Sequence, residues 1–165
     1  MKVGQLMNSH PCWCSAGESL RRAAQLMANH GCGCVLVKDG RGRLVGVVTD
    51  RDICMAAYAQ GLPLRTIRVS TAMSSDVISC SPDDPIALAE AQMRRHGVRR
   101  LPVVVGDGEI VGVISLHDLA VEARRESLQE HKEITFADVG ETMSDICLSP
   151  SRPSAGDVER GLGSR

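Results

Sequence analysis

The sequence predicts an α/β fold built from two copies of one unit, each running β-α-β-β-α. Three observations predict it. The first is an ungapped internal repeat at an offset of 66 residues. Val45-Gly46-Val47-Val48-Thr49-Asp50-Arg51-Asp52-Ile53 returns as Val111-Gly112-Val113-Ile114-Ser115-Leu116-His117-Asp118-Leu119, His30-Gly31 as His96-Gly97, Met7 as Met73, and Cys14 as Cys80. The second is periodicity: a helical spacing of apolar residues in each copy precedes two short β-rich runs. The third is turn chemistry, with glycines joining those runs as in β-hairpins. A repeat decides what counts as one structural unit. Two copies of this length are too few for a solenoid and long enough for two small domains.

Each element follows in order. A short lead-in (Val3 to Met7; Val69 to Met73) is long enough for one helical turn. A brief extended stretch comes next, Cys12 to Cys14 in copy one and Val77 to Cys80 in copy two. In copy two it runs into Ser81-Pro82-Asp83-Asp84-Pro85, with proline placed to suit a first helical turn. The helices carry Leu20, Ala23, Ala24 and Met27, or Ile86, Ala89 and Met93, near one face. Gly31 and Gly97 sit where a left-handed C-terminal cap belongs, each after a histidine that suits the negative helix end. Strands Val35 to Lys38 and Leu44 to Val48 flank Asp39-Gly40-Arg41-Gly42; Leu101 to Val105 and Ile110 to Ile114 flank Gly106-Asp107-Gly108. A second helix opens at Thr49 and again at Ser115.

The expected boundaries are repeat 1 over residues 1–62, repeat 2 over 69–124, and a C-terminal helical extension with a disordered tail over 125–165. Residues 61–68 read as the linker. In the extension, Val139, Thr142, Met143, Ile146 and Cys147 fall at helical spacing, and the Ser, Pro, Gly and Arg beyond Ser149 predict disorder. Val139-Gly-Glu-Thr-Met143 also echoes the lead-in at Val69, as if a third copy began and stopped. A unit near 60 residues buries only about 60% of the surface its unfolded chain exposes, so the copies are expected to bury surface against each other.

Composition narrows the function. With 19 basic and 20 acidic side chains in 165 residues the net charge is −1, so no global field draws the protein to nucleic acid or anionic lipid. Trp13, Tyr58 and Phe136 are the only aromatics, too few for base-stacking platforms. No run approaches the roughly 20 apolar residues of a membrane span, and the first residues lack a signal-peptide core. Seven cysteines, an odd number, argue against a disulfide framework. A cytoplasmic location is expected.

The sharpest local feature is Gly46-Val-Val-Thr49-Asp-Arg-Asp52 and its twin Gly112-Val-Ile-Ser115-Leu-His-Asp118. A hydroxyl ends a strand and opens a helix, with a carboxylate three residues on. One reading is a capping box, which needs no ligand. The other uses the helix N-terminus as an anion site and the carboxylate as a hydrogen-bond acceptor for ribose hydroxyls. The two are compatible, because a cap can open to a ligand.

This duplicated unit, with the Met7 and Met73 lead-ins, His96-Gly-Val-Arg-Arg-Leu-Pro-Val-Val104 and both terminal motifs, resembles the CBS domain over about residues 1–124. Thr49-Asp-Arg-Asp52-Ile followed by Gly61-Leu-Pro is most similar to short stand-alone bacterial CBS-pair proteins. The resemblance implies tandem CBS domains packed as a pseudo-twofold pair, a Bateman module, with an adenosine ligand such as AMP, ADP or ATP held between the copies. One site would use Asp52 and Thr49, with Ile78 and Val98 against the base. The other would use Asp118 and Ser115, with Cys12 and Cys32 against the base and Arg100 on the phosphate. Cys34 stands where Arg100 stands, so the first site lacks that cation, with Arg51 as a substitute. Arg99, Arg100 and His117 therefore make the Asp118 site the better polyphosphate candidate. A homodimer of such pairs and a regulated protein partner are also implied.

Other chemistries are weaker. Cys12-x-Cys14 and Cys32-x-Cys34 raise a thiolate metal or redox site, but structural zinc favours wider spacing, and Cys32 aligns with Val98. Gly40-Arg-Gly42 joins two strands, not a strand and a helix, so it is a hairpin turn and not a phosphate loop. No catalytic pair is legible, no cofactor is required, and no enzyme is expected. The competing function is a ligand-independent interaction scaffold whose Thr/Ser–Asp pairs only cap helices.

Overall fold

The computed structural model describes residues 1–149; the tail expected to be disordered beyond Ser149 lies outside the described residues. The chain opens with a one-turn helix, α1 (Val3–Leu6). Copy one then forms β1 (Trp13–Ser15), α2 (Leu20–His30), β2 (Cys34–Lys38), β3 (Leu44–Thr49) and α3 (Asp50–Gln60). A 3₁₀ turn at Val69–Thr71 leads into α4 (Ile86–His96), β4 (Arg100–Val105), β5 (Glu109–Ser115) and α5 (Leu116–Glu126), and α6 (Phe136–Leu148) follows. The mixed α/β order is the one the periodicity predicts.

Local rules explain the boundaries. α2 buries Leu20, Ala23, Leu26 and Met27, and α4 buries Ile86, Ala89 and Met93, so each helix turns one face inward. Both stop at a glycine with φ 61°, Gly31 and Gly97, a conformation that L side chains resist. Each hairpin is antiparallel, β2 with β3 and β4 with β5. In copy one, β1 adds a parallel strand beside β2. In copy two the matching stretch is reduced to a single bridge, Cys80 to Val103. The reason is Pro102. Its counterpart Leu36 donates its N–H to Cys12 O at 2.9 Å, and a proline has no N–H to give.

The chain packs as two compact units whose boundaries differ from the repeat. Residues 1–10 belong with the described residues from 78 onward, and residues 11–77 form the other unit. The lead-ins are thus exchanged: each copy's lead-in docks on the other copy's fold. Val3 is fully buried with Ile86, Met93, Leu101 and Ile114, and Val69 is fully buried with Leu20, Val35 and Val48. Asn8 exchanges two backbone hydrogen bonds with Val113 (2.9 and 3.0 Å), and Ser74 exchanges the same pair with Val47. The glycines of the duplicated motif make this possible. A Cβ on Gly112 would lie 2.6 Å from Met7 Sδ, and one on Gly46 would lie 2.6 Å from Met73 Sδ.

The stretch expected to act as a linker is part of the second unit. Ile67 is buried, its carbonyl accepts from Leu20 N–H at 2.9 Å, and Leu64 O accepts from Arg21 N–H. These bonds satisfy N-terminal donors of α2 that its own turn cannot. The helix expected in the extension is α6, whose Val139 and Ile146 pack against the core of the first unit and whose Thr142 is fully buried. It is a full helix, unlike the 3₁₀ turn at Val69 that its sequence echoes.

Candidate functional site

Both duplicated motifs form the capping box their spacing predicts. Thr49 N–H and Oγ1–H donate to Asp52 Oδ2 (2.8 and 2.7 Å), and Asp52 N–H donates to Thr49 Oγ1 at 3.2 Å. Ser115 and Asp118 repeat the arrangement at 2.8, 2.6 and 3.3 Å. In each case the cap uses Oδ2, and among the described residues Oδ1 accepts no hydrogen bond. The carboxylates are half-buried and so remain reachable by a ligand.

The first unit adds a cavity to its motif. A pocket of about 370 Å³ is lined by Arg99, Arg100, Ser115, Leu116, His117 and Ala120, together with Val139 and Met143 of α6. That volume falls within the roughly 300–1,000 Å³ typical of small-molecule sites. The lining combines apolar surface with convergent cations. Arg99 immediately precedes β4 and Arg100 opens it; both are exposed and make no ion pair among the described residues. His117 is the second residue of α5. The helix terminus itself is largely committed: Leu116 N–H donates to Arg99 O at 2.9 Å, and Asp118 N–H to Ser115 Oγ. His117 N–H is the donor of this first turn that the cap leaves over. An anion here would therefore rest on the two guanidiniums more than on the helix dipole.

The other unit carries different chemistry at the same positions. Gly33 and Cys34 replace Arg99 and Arg100, and Asp50 replaces Leu116. Arg51 is exposed, but Asp50 and Asp52 flank it in the first turn of α3. One cation against two carboxylates is a poor polyphosphate setting. Ile78 and Val98 are partly buried against the core of the first unit, and Cys12 and Cys32 against that of the second.

Cys14 and Cys80 are buried as small apolar side chains, whereas Cys54 and Cys147 are exposed. None of the seven forms a disulfide among the described residues. Burial, then the neighbouring Cys32 and Cys34 thiols, pushes Cys12 up to about 11, and burial pushes Cys14 to about 11 as well. Among the described residues no group of three or more His, Cys, Asp or Glu side chains is arranged to hold a metal ion. Nor is any described helix long and apolar enough to cross a membrane. The sequence did not single out Val139 and Met143 as lining residues; their only signal was the helical spacing of an amphipathic extension.

Comparison with known proteins agrees with this architecture. The family model for the CBS domain matches residues 3–59 and again 69–124. The CBS domain-containing protein YhcV of Bacillus subtilis is 36% identical over 119 residues, covering 72% of this chain and 83% of that protein. The CBS domain protein PAE2072 from Pyrobaculum aerophilum, solved in complex with AMP, is 31% identical with a TM-score of 0.68, covering 75% of this chain and 94% of that one. The CBS domain protein TA0289 from Thermoplasma acidophilum shares the fold at a TM-score of 0.75 and 19% identity, over 90% of this chain and 78% of that one.

Proposed function

The chain belongs to the CBS domain family, carrying two CBS repeats, and on that premise we propose that it is a regulatory module that senses an adenosine-containing nucleotide such as AMP, ADP or ATP. The observation that carries this reading is the cavity beside Ser115, where Arg99, Arg100 and His117 converge. Guanidinium groups bind phosphate through charge-assisted, often bidentate hydrogen bonds. The Oδ1 of Asp118, outside the cap, is a fitting acceptor for ribose hydroxyls. The relative solved with AMP supports the same ligand class. In this reading the Asp118 site takes the phosphorylated ligand. The Asp52 site, with Asp50 beside it and Cys34 in place of Arg100, discriminates against polyphosphate.

Regulation follows from differential affinity: a ligand shifts a conformational equilibrium only as far as it prefers one state. A homodimer of such modules and a regulated partner belong to the same proposal, and the protein itself is no enzyme. The competing scaffold reading draws on one observation, that Thr49/Asp52 and Ser115/Asp118 are complete caps without a ligand. Isothermal titration calorimetry with AMP, ADP, ATP, NADH and S-adenosylmethionine decides between them. Binding of an adenine nucleotide, weakened by Asp118→Ala, is the expected result. Silence with all five ligands would leave the scaffold.

A further inference from the structure

The cavity owes part of its wall to a helix outside both repeats. α6 contributes Val139 and Met143 to the lining that holds Arg99, Arg100, Ser115 and His117. Its own N-terminus is capped by Thr135 and Asp138, and Val139 and Ile146 seat it on the core. Glu141 pairs with Arg94 of α4 at 3.6 Å, a partly exposed pair of small value.

Against these contacts stand two polar atoms buried without partners. Glu90 of α4 is 7% exposed and its Oε1 has no hydrogen bond; Thr142 of α6 is fully buried and its Oγ1 has none. A buried polar group left unsatisfied costs its full desolvation. The charged groups facing Glu90 are Asp138 of α6 and Arg94 of its own helix, and Arg94 is shared with Glu141. In copy one the equivalent position is Ala24, so nothing in the repeated architecture requires a carboxylate there.

Building on the nucleotide reading of this cavity, we propose that α6 is a reversible wall of the site: its docking completes the cavity, the unpartnered Glu90 and Thr142 hold that docking weak, and a nucleotide touching Val139 and Met143 strengthens it. Ligand and helix docking then promote each other by the same factor. The proton linkage has a definite sign. Burial first, and Asp138 second, raise the Glu90 carboxyl above its ordinary 4.5. Glu90 opposes docking least when neutral, below that ordinary value, and its opposition grows as pH rises through the raised one. Asp138 runs the other way: the Thr135 hydroxyl, then its N–H, lower its carboxyl below 3.8, so the cap weakens only as pH falls through that lowered value. α6 is therefore held most firmly in mild acid and is looser at neutral pH.

Hydrogen–deuterium exchange of the full chain at pH 7.0, read over residues 136–148, tests this. Glu90→Gln removes the ionisable carboxyl and Thr142→Val removes the unpaired hydroxyl, each while conserving shape. Each should slow exchange of α6 about tenfold, and saturating ADP should slow it in the unsubstituted protein. ADP affinity should rise in Glu90→Gln. Should ADP protect residues 115–118 while leaving 136–148 unchanged, this inference falls and the nucleotide reading stands. Should ADP alter no part of the chain, both fall together. Faster exchange of α6 in both variants would mean that Glu90 and Thr142 support docking, and would overturn the inference as well.

Discussion

Removing Arg100 tests the site most directly. The side chain is exposed at the start of β4, makes no ion pair among the described residues, and lines the cavity with Arg99, Ser115 and His117. Its loss leaves no buried partner unsatisfied, so Arg100→Ala should change folding stability by no more than about 0.5 kcal/mol. Binding is another matter. A hydrogen bond to a charged group contributes about 1.5–3 kcal/mol, and about 1.4 kcal/mol is a tenfold change in affinity. Arg100→Ala should therefore weaken ADP by about 10- to 150-fold, while adenosine, which has no phosphate, binds as before. Arg100→Lys keeps the charge but not the fork, and should fall between the two. Calorimetry with ADP and adenosine, run in parallel on all three proteins, reads the split. Equal weakening of adenosine and ADP would refute the argument, because the residue would then be shaping the cavity and not binding phosphate. So would unchanged ADP affinity in a protein that binds ADP.

Other expectations can be checked on the same preparations. Asp118→Ala deletes a cap and should cost about 0.5–2 kcal/mol in chemical denaturation, with ADP binding reduced in addition. Gly112→Ala and Gly46→Ala each force a methyl group against a methionine sulfur, and overpacking of this kind costs about 1–3 kcal/mol; both should lower the melting temperature although neither touches the cavity. Cys54 and Cys147 are exposed and should react readily with a thiol reagent at pH 8, while Cys14 and Cys80 resist. Burial raises the latter two from 9.0 to about 11, so the stability they contribute is complete below pH 9 and lost as pH climbs toward 11. Differential scanning fluorimetry across that window should show a falling melting temperature, with a shallower fall in Cys80→Ala.

Much of this architecture is legible because its cues are local. The spacing of Ile86, Ala89 and Met93 marks a helix face, Gly97 marks its end, and Gly106 and Gly108 mark a hairpin; each depends only on neighbours a few residues away. The exchange of lead-ins is not local. Val3 with Met7 and Val69 with Met73 present the same two anchors, and each fits a glycine that both copies possess. A repeat shows that two docking surfaces exist and is silent about which lead-in takes which. The missing strand before α4 was legible in principle, because Pro102 stands where Leu36 donates a hydrogen bond. The cavity wall was not, since Val139 and Met143 announce only that α6 has an apolar side to bury. Where it docks depends on α4 and α5, whose surfaces the spacing of α6 itself does not reveal.

The duplicated motif itself carries less functional information than its prominence implies. A third pair, Thr135 and Asp138, lies outside the repeats and builds the same cap at 2.8, 2.6 and 3.2 Å. Three caps of one geometry at three helix starts mean that hydroxyl-x-x-Asp follows from opening a helix after extended chain, whatever else the residues do. Discrimination between the two readings must come from what surrounds the cap. Around Thr135 stands a helix seam, and around Thr49 stand Gly33, Cys34 and Asp50. Ser115 faces a cavity with two guanidiniums that have no partner among the described residues. Exposed arginines side by side repel, and in a protein of net charge −1 no global field compensates them. A dianionic or polyanionic phosphate removes that repulsion and supplies both partners at once. The case for a ligand therefore rests on Arg99 and Arg100 more than on the motif, and it applies to one repeat and not to its twin.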